Sequence, residues 1–211
     1  MVVSVNGNNY VTIWGKIISE TSFSHEVYGE GFYIFLLEVP RLSDISDKII
    51  VTISERLISN QRIEIGRYAE IEGQFRSYNN YKNEGNKLVL TVFAREITFV
   101  YEEKKNPNQI YLDGFLCKKP IYRTTPFGRE ISDILLAVNR PYGKSDYIPC
   151  IAWGRNARYS LNLDIGENIK VSGRIQSREY KKSLDSGETI IKTAYEVSVT
   201  KMEIASKDIE Q

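Results

Sequence analysis

Histidine is nearly absent, since His25 stands alone among 211 residues. A single imidazole excludes His-pair metal sites and leaves most Ser-His nucleophile schemes without their base. Cysteine is almost as scarce, and the spacing of Cys117 and Cys150 fits neither a disulfide framework nor a zinc pattern. Cys150 lies among small apolar residues and is expected as a buried free thiol. No apolar run is long enough for a membrane-spanning helix. Met1-Val-Val-Ser-Val-Asn-Gly7 lacks the basic start and apolar core of a signal peptide, so a cytoplasmic location is expected. Charge of one sign is missing too: 28 Lys and Arg against 27 Asp and Glu leave +1, which does not announce a nucleic-acid partner.

Tyrosine is plentiful, with 14 against 8 Phe and 2 Trp. Its ring stacks and its hydroxyl tolerates water, which suits a binding face. It also favours strands, which suits any strand-rich fold. The small basic surplus is lopsided. Residues 1–105 hold 12 Lys/Arg against 14 Asp/Glu, giving −2, and residues 106–211 hold 16 against 13, giving +3. The same half contains Tyr147-Ile-Pro-Cys-Ile-Ala-Trp153-Gly154. At strand period, Ile148, Cys150 and Ala152 share one face, small and apolar, while Tyr147, Pro149, Ile151 and Trp153 share the other. Aromatics on that second face fit a surface that stacks bases of single-stranded nucleic acid. They equally fit a second covered face.

The chain repeats itself. Leu36-Leu-Glu-Val-Pro-Arg41 is echoed by Leu135-Leu-Ala-Val-Asn-Arg140, and Val11-Thr-Ile-Trp-Gly15 by Ile110-Tyr-Leu-Asp-Gly114. Ile65-Gly66, Gly73 and Ser77 recur at the same spacing as Ile165-Gly166, Gly173 and Ser177. Glu102-Glu-Lys-Lys-Asn-Pro-Asn108, polar and broken by proline, reads as the linker. The pattern predicts domains 1–104 and 105–211, each of five strands: about 10–19, 32–40, 48–54, 67–77 and 87–100, then 109–118, 130–139, 147–153, 167–178 and 190–204. One helical stretch, Arg155 to Leu163, follows the third strand of the second half. Mid-strand Gly15, Gly73, Gly114 and Gly173 suit bends in a small barrel. The fold class is all-β: two tandem five-stranded OB-fold barrels, each with at most one short helix between strands 3 and 4.

Leu112-Asp-Gly114, Leu135 to Val138, Tyr147 to Gly154, Ile165 to Ile175 and Thr193 to Val199 carry a resemblance to bacterial single-stranded DNA-binding proteins. It extends to their OB-barrel relative, the primosomal replication protein. The first half matches the plan only and resembles a divergent copy. The resemblance implies single-stranded DNA as ligand, stacked on Tyr142, Tyr147, Trp153 and Tyr180. Arg140, Lys144, Arg155, Arg174, Arg178, Lys181 and Lys182 are the basic residues beside those rings, expected to track phosphates. The basic hairpin tip is expected to close over a bound strand.

In the first half, Lys48 and Ser54 stand in place of Tyr147 and Trp153, and Arg76, Tyr78 and Tyr81 are left as a secondary contact. That half is expected to bind weakly or serve assembly, with Phe32, Tyr33 and Phe35 in packing or subunit contacts. The resemblance also implies a homodimer holding four barrels, with roles in replication, recombination or repair near the nucleoid. Family members often end in an acidic recruiting tail, whereas this sequence ends at Ala205-Ser-Lys-Asp-Ile-Glu-Gln211, so that role is not expected.

Other classes rank lower. Gly143-Lys-Ser145 ends like a phosphate-binding loop, but the earlier glycine that motif needs falls at Val138. Asp164 with Glu179-Tyr-Lys181 has the spacing of metal-dependent nucleases, yet the barrel reading separates the two carboxylates. A protein-interaction barrel without nucleic acid is the remaining alternative. No enzyme activity, cofactor or metal is expected.

Overall fold

The computed structural model describes residues 7–59, 62–79, 88–102, 104–183, 187 and 189–205. These fall into two compact units. The first takes in residues 11–108 and 175–196, and the second residues 7–10, 109–174 and 197–205.

Alternation of apolar and polar residues builds the first unit's strands: β1 (Asn9–Ile17), β2 (Ser22–Val27), β3 (Glu30–Pro40), β4 (Ser46–Ser54), β5 (Tyr68–Asn79) and β6 (Leu88–Phe99). Val11, Ile13, Leu37, Ile49, Val51, Ile71, Phe75 and Val92 point inward and are fully buried. β3 lies antiparallel to both β2 and β4, β4 pairs parallel with β6, and β6 and β1 flank β5. β1 then returns to β3 through Lys16↔Glu38 and Ile17↔Leu37 and closes the barrel. Closure removes the long sheet edges. The short helix α1 (Glu55–Ile58) follows β4, capped by Ser54, whose hydroxyl accepts the Arg56 N–H.

The second half repeats the plan with β7 (Asn108–Leu116), β8 (Ile121–Thr124), β9 (Glu130–Asn139), β10 (Ser145–Trp153), α2 (Arg155–Ser160), β11 (Asn168–Ser183) and β12 (Thr189–Ile204). Its closing pairs, Phe115↔Ala137 and Leu116↔Leu136, lie 99 residues beyond those of the first half. β10 and β12 pair in parallel, as β4 and β6 do before. This is the OB-fold plan, twice. The residues 175–196 of the β11–β12 hairpin count with the first unit.

The bending glycines are required by close approach. A Cβ on Gly73 would overlap the Phe93 carbonyl oxygen, and one on Gly173 the Ser198 carbonyl oxygen. Two features escape the five-strand reading. β2 and β8 are short edge strands, mostly exposed on both faces, so burial imposes little alternation on them. β2 also carries a register shift between Phe23 and His25. The helix α1 is only four residues long, too short for a helical period to register.

Candidate functional site

The two faces of β10 differ sharply. Asp146, Ile148, Cys150 and Ala152 are all buried on the inner face. On the outer face Tyr147 is 50% exposed and Trp153 39%, while Ile151 between them is buried. Cross-strand neighbours on this outer face are Ala137, Leu135, Asp133 and Ile131 of β9. Asp133 accepts from Arg123 of β8 at 3.0 Å, which places an ion pair next to the apolar floor.

The turn before β10 is a single 3-10 turn, Pro141–Gly143. Tyr142 sits there with φ of 65°, a left-handed conformation uncommon for a non-glycine residue, and its side chain is 99% exposed. A built-in clamp holds this turn. The Arg140 guanidinium donates to both oxygens of buried Asp146, and the Arg140 N–H donates to the Lys144 carbonyl at 2.7 Å. Arg140, expected as a phosphate contact, therefore already has a carboxylate partner and fixes the loop that presents Tyr142. Lys144 is exposed just after the turn.

Past Trp153 the chain must reverse into α2, and Gly154 does so with φ of 52° and ψ of −117°. That conformation suits a residue without a Cβ. Arg155 follows, exposed, and shares with Trp153 the rim of a cleft of about 600 Å³. Arg174 is half-buried on β11 in the same unit. The second unit thus brings together Tyr142, Tyr147, Trp153, Lys144 and Arg155 on β10 and its flanking turns.

Tyr180, Arg178 and Lys181 lie on β11 within the first unit. Tyr180 is half-buried and Lys181 exposed, and Arg178 stands 3.9 Å from Glu196. Tyr81 and the Lys182 side chain fall outside the described residues. Arg76 lies over the Phe93 ring, 3.8 Å from its centroid, and donates to Gln74 at 2.9 Å. Tyr78 is half-exposed, and burial of its remaining surface raises its phenol pKa. On the same barrel, His25 stacks on Phe32 with centroids 5.0 Å apart, and Phe32 meets Phe93 at 5.6 Å. Phe32 and Phe35 are buried and Tyr33 is half-buried, so packing accounts for the first two. Lys48 is exposed on β4, and the Ser54 oxygen is taken up in capping α1.

Sequence reasoning missed Asp47, the first-half counterpart of Asp146, which receives two bonds from Arg41. A signal existed: the Arg-to-Asp spacing of six residues recurs at both repeats. Among the described residues, no group of three or more His, Cys, Asp or Glu is gathered so as to hold a metal ion. Asp164 pairs instead with Lys119 at 2.9 Å. No helix among the described residues is long and apolar enough to cross a membrane.

The profile of the single-strand binding protein family matches residues 107–205. Single-stranded DNA-binding protein 1 of Staphylococcus aureus (strain COL) is 40% identical over 81 residues, which cover 35% of this chain and 48% of that protein. Single-stranded DNA-binding protein B of Bacillus subtilis (strain 168) is 37% identical over 81 residues, covering 35% of this chain and 72% of that protein. The chain spans about half the length of the first curated relatives it matches. The wild-type single-stranded DNA binding protein from Thermus aquaticus has a TM-score of 0.78 over 97% of this chain and 96% of that one, at 21% identity. That likeness is one of fold, and it runs through both halves.

Proposed function

This chain belongs to the single-strand binding protein family, and from that premise we propose that it binds single-stranded DNA without strong sequence preference. Its task is to hold and protect exposed strands in replication, recombination or repair, with no chemistry of its own. One observation carries this reading. The inner face of β10 is wholly buried, whereas its outer face keeps Tyr147 and Trp153 half-open beside a fully exposed Tyr142. Rings that the core does not need offer a π-face to any base, and each stacked base contributes about 1–3 kcal/mol. A few such contacts hold a strand without a large net charge.

Lys144, Arg155 and Arg174 supply cations for the phosphates in the same unit. Tyr180, Arg178, Lys181 and Lys182 of the hairpin are strand contacts of their own, with Arg76, Tyr78 and Tyr81 as a secondary contact. Residues 105–211 are the binding barrel and residues 1–104 the scaffold, where Lys48 and Ser54 replace the two rings. Two barrels per chain favour a closed two-fold dimer with four barrels, which a mass measurement in solution tests. The protein works in the cytoplasm, at the nucleoid where its ligand is.

Fluorescence anisotropy with labelled oligo-dT tests the assignment. Tyr147→Ala and Trp153→Ala each weaken binding at least about fivefold. Both variants binding as tightly as the unaltered chain removes the outer face of β10 from the account.

A further inference from the structure

Trp153 and Arg155 form only the rim of a deeper cleft that Asn156, Tyr159, Thr200, Lys201 and Met202 also line. Its walls are built with care. Below it, α2 is seated firmly: Ala157 and Ser160 are buried, and Ser160 Oγ donates to Ser132 Oγ at 2.7 Å. Asn156 Nδ2 donates to the Thr200 carbonyl at 3.1 Å and ties α2 to β12. Arg155 and Tyr159, four residues apart, emerge on one side of this short helix. Lys201 of β12 lines the same cleft. Tyr159 is 37% exposed, almost as open as Trp153, so two rings line one cleft of about 600 Å³. Lys201 contacts Glu203 at 2.7 Å, with both side chains largely in water. Exposed pairs of this kind are weak and yield to a better anion.

We propose that this cleft is a further nucleotide subsite. It takes the base next along the strand from the one on Trp153, stacked against Tyr159, with Arg155 and Lys201 on the flanking phosphates. The inference rests on the outer face of β10 being the strand-binding face. Continuity argues for nucleic acid over an acidic peptide: Trp153 and Arg155 belong both to that face and to the cleft. Two flat rings and two cations in one cleft match the chemistry of the strand itself, bases alternating with phosphates.

A length series of labelled oligo-dT on the full chain tests the subsite. Affinity rises with length until the footprint is filled. Tyr159→Ala weakens the long oligomers at least about fivefold and moves the plateau to a shorter length, while the shortest oligomers bind as before. Tyr159→Phe keeps the ring and the original behaviour. Lys201→Gln lowers the slope of log affinity against log salt by about 0.7. Tyr159→Ala and Lys201→Gln matching the unaltered chain at every length and salt concentration overturn the subsite and leave the β10 face standing. A poly-Glu peptide that binds through Tyr159 while oligo-dT ignores it also overturns it. An unaltered chain that binds no oligo-dT at all overturns the parent reading, and the subsite with it.

Discussion

Asp47 accepts the Ser177 backbone N–H at 2.7 Å and its hydroxyl at 3.3 Å, with the carboxylate fully buried inside the first unit. Arg41 holds the same carboxylate through two bonds, of 2.8 and 2.7 Å, and also donates to the Ser177 carbonyl at 3.3 Å. The Lys48 N–H reaches the Ser177 hydroxyl at 3.2 Å. One serine of the β11 hairpin is therefore anchored on every polar atom it has.

Asp47→Ala leaves a guanidinium and a backbone N–H without their acceptor. Removing one member of a buried charged pair costs about 3–5 kcal/mol, and the lower end applies because Arg41 is partly in water. Asp47→Asn, which keeps the shape and one acceptor, loses less. Denaturant unfolding of the three proteins measures the order. An alanine variant as stable as the original would show that this anchor does not hold the hairpin.

Gly73→Ala and Gly173→Ala drive a methyl into a carbonyl oxygen of the neighbouring strand. Each is expected to destabilise by about 1–3 kcal/mol, the usual cost of overpacking. Equal losses at the two sites, read from urea unfolding, check that the two halves bend for the same reason.

Most of the strand plan is legible in the sequence because burial of one face enforces a period of two. The long strands end close to where that alternation stops. The exception is β11, which continues through Tyr180-Lys-Lys-Ser183 where the residues are polar and alternation fails. The two faces of β10 are legible for the same reason: residue parity decides the face whatever lies above it. The buried carboxylates are not. An Asp in a strand reads as solvated, and only the Arg six residues earlier, at both 41/47 and 140/146, hints otherwise. The repeated Ser177 stands out in the sequence without its purpose, because its partner Asp47 lies 130 residues away. Tyr159 falls within the expected helix, but which side of a short helix faces solvent depends on the strand it packs against.

Alkaline titration follows two partly buried phenols. Burial raises the pKa of Tyr78 and Tyr195 above the ordinary value of about 10. A proton held more tightly in the folded state gives stability that is full below the unfolded pKa. It is lost as pH rises through the folded one. Stability is thus expected to fall above about pH 10, and absorbance at the phenolate band to lag behind that of the unfolded chain. A phenolate curve superimposing on the unfolded one counts against this burial.

The two thiols differ in reactivity. Cys150 is buried, and Cys117, half-buried, has its pKa raised by desolvation despite the nearby Lys118 charge. A thiol reagent near pH 8 therefore modifies Cys117 slowly and Cys150 only after unfolding. Rapid reaction of both in the folded protein contradicts the packing behind β10.

The most direct measurement of the proposed strand-binding face is tryptophan emission. The chain has two tryptophans, and Trp14 is 5% exposed and stacked on Tyr68 with centroids 5.1 Å apart. Trp153 is 39% exposed. Titration with oligo-dT is expected to quench emission strongly, with the complex weakening as salt rises, and a duplex of equal length to leave it unchanged. In Trp153→Phe the quenching disappears. Emission from the unaltered protein that stays constant through saturating oligo-dT, or quenching that survives in Trp153→Phe, contradicts the assignment of this face.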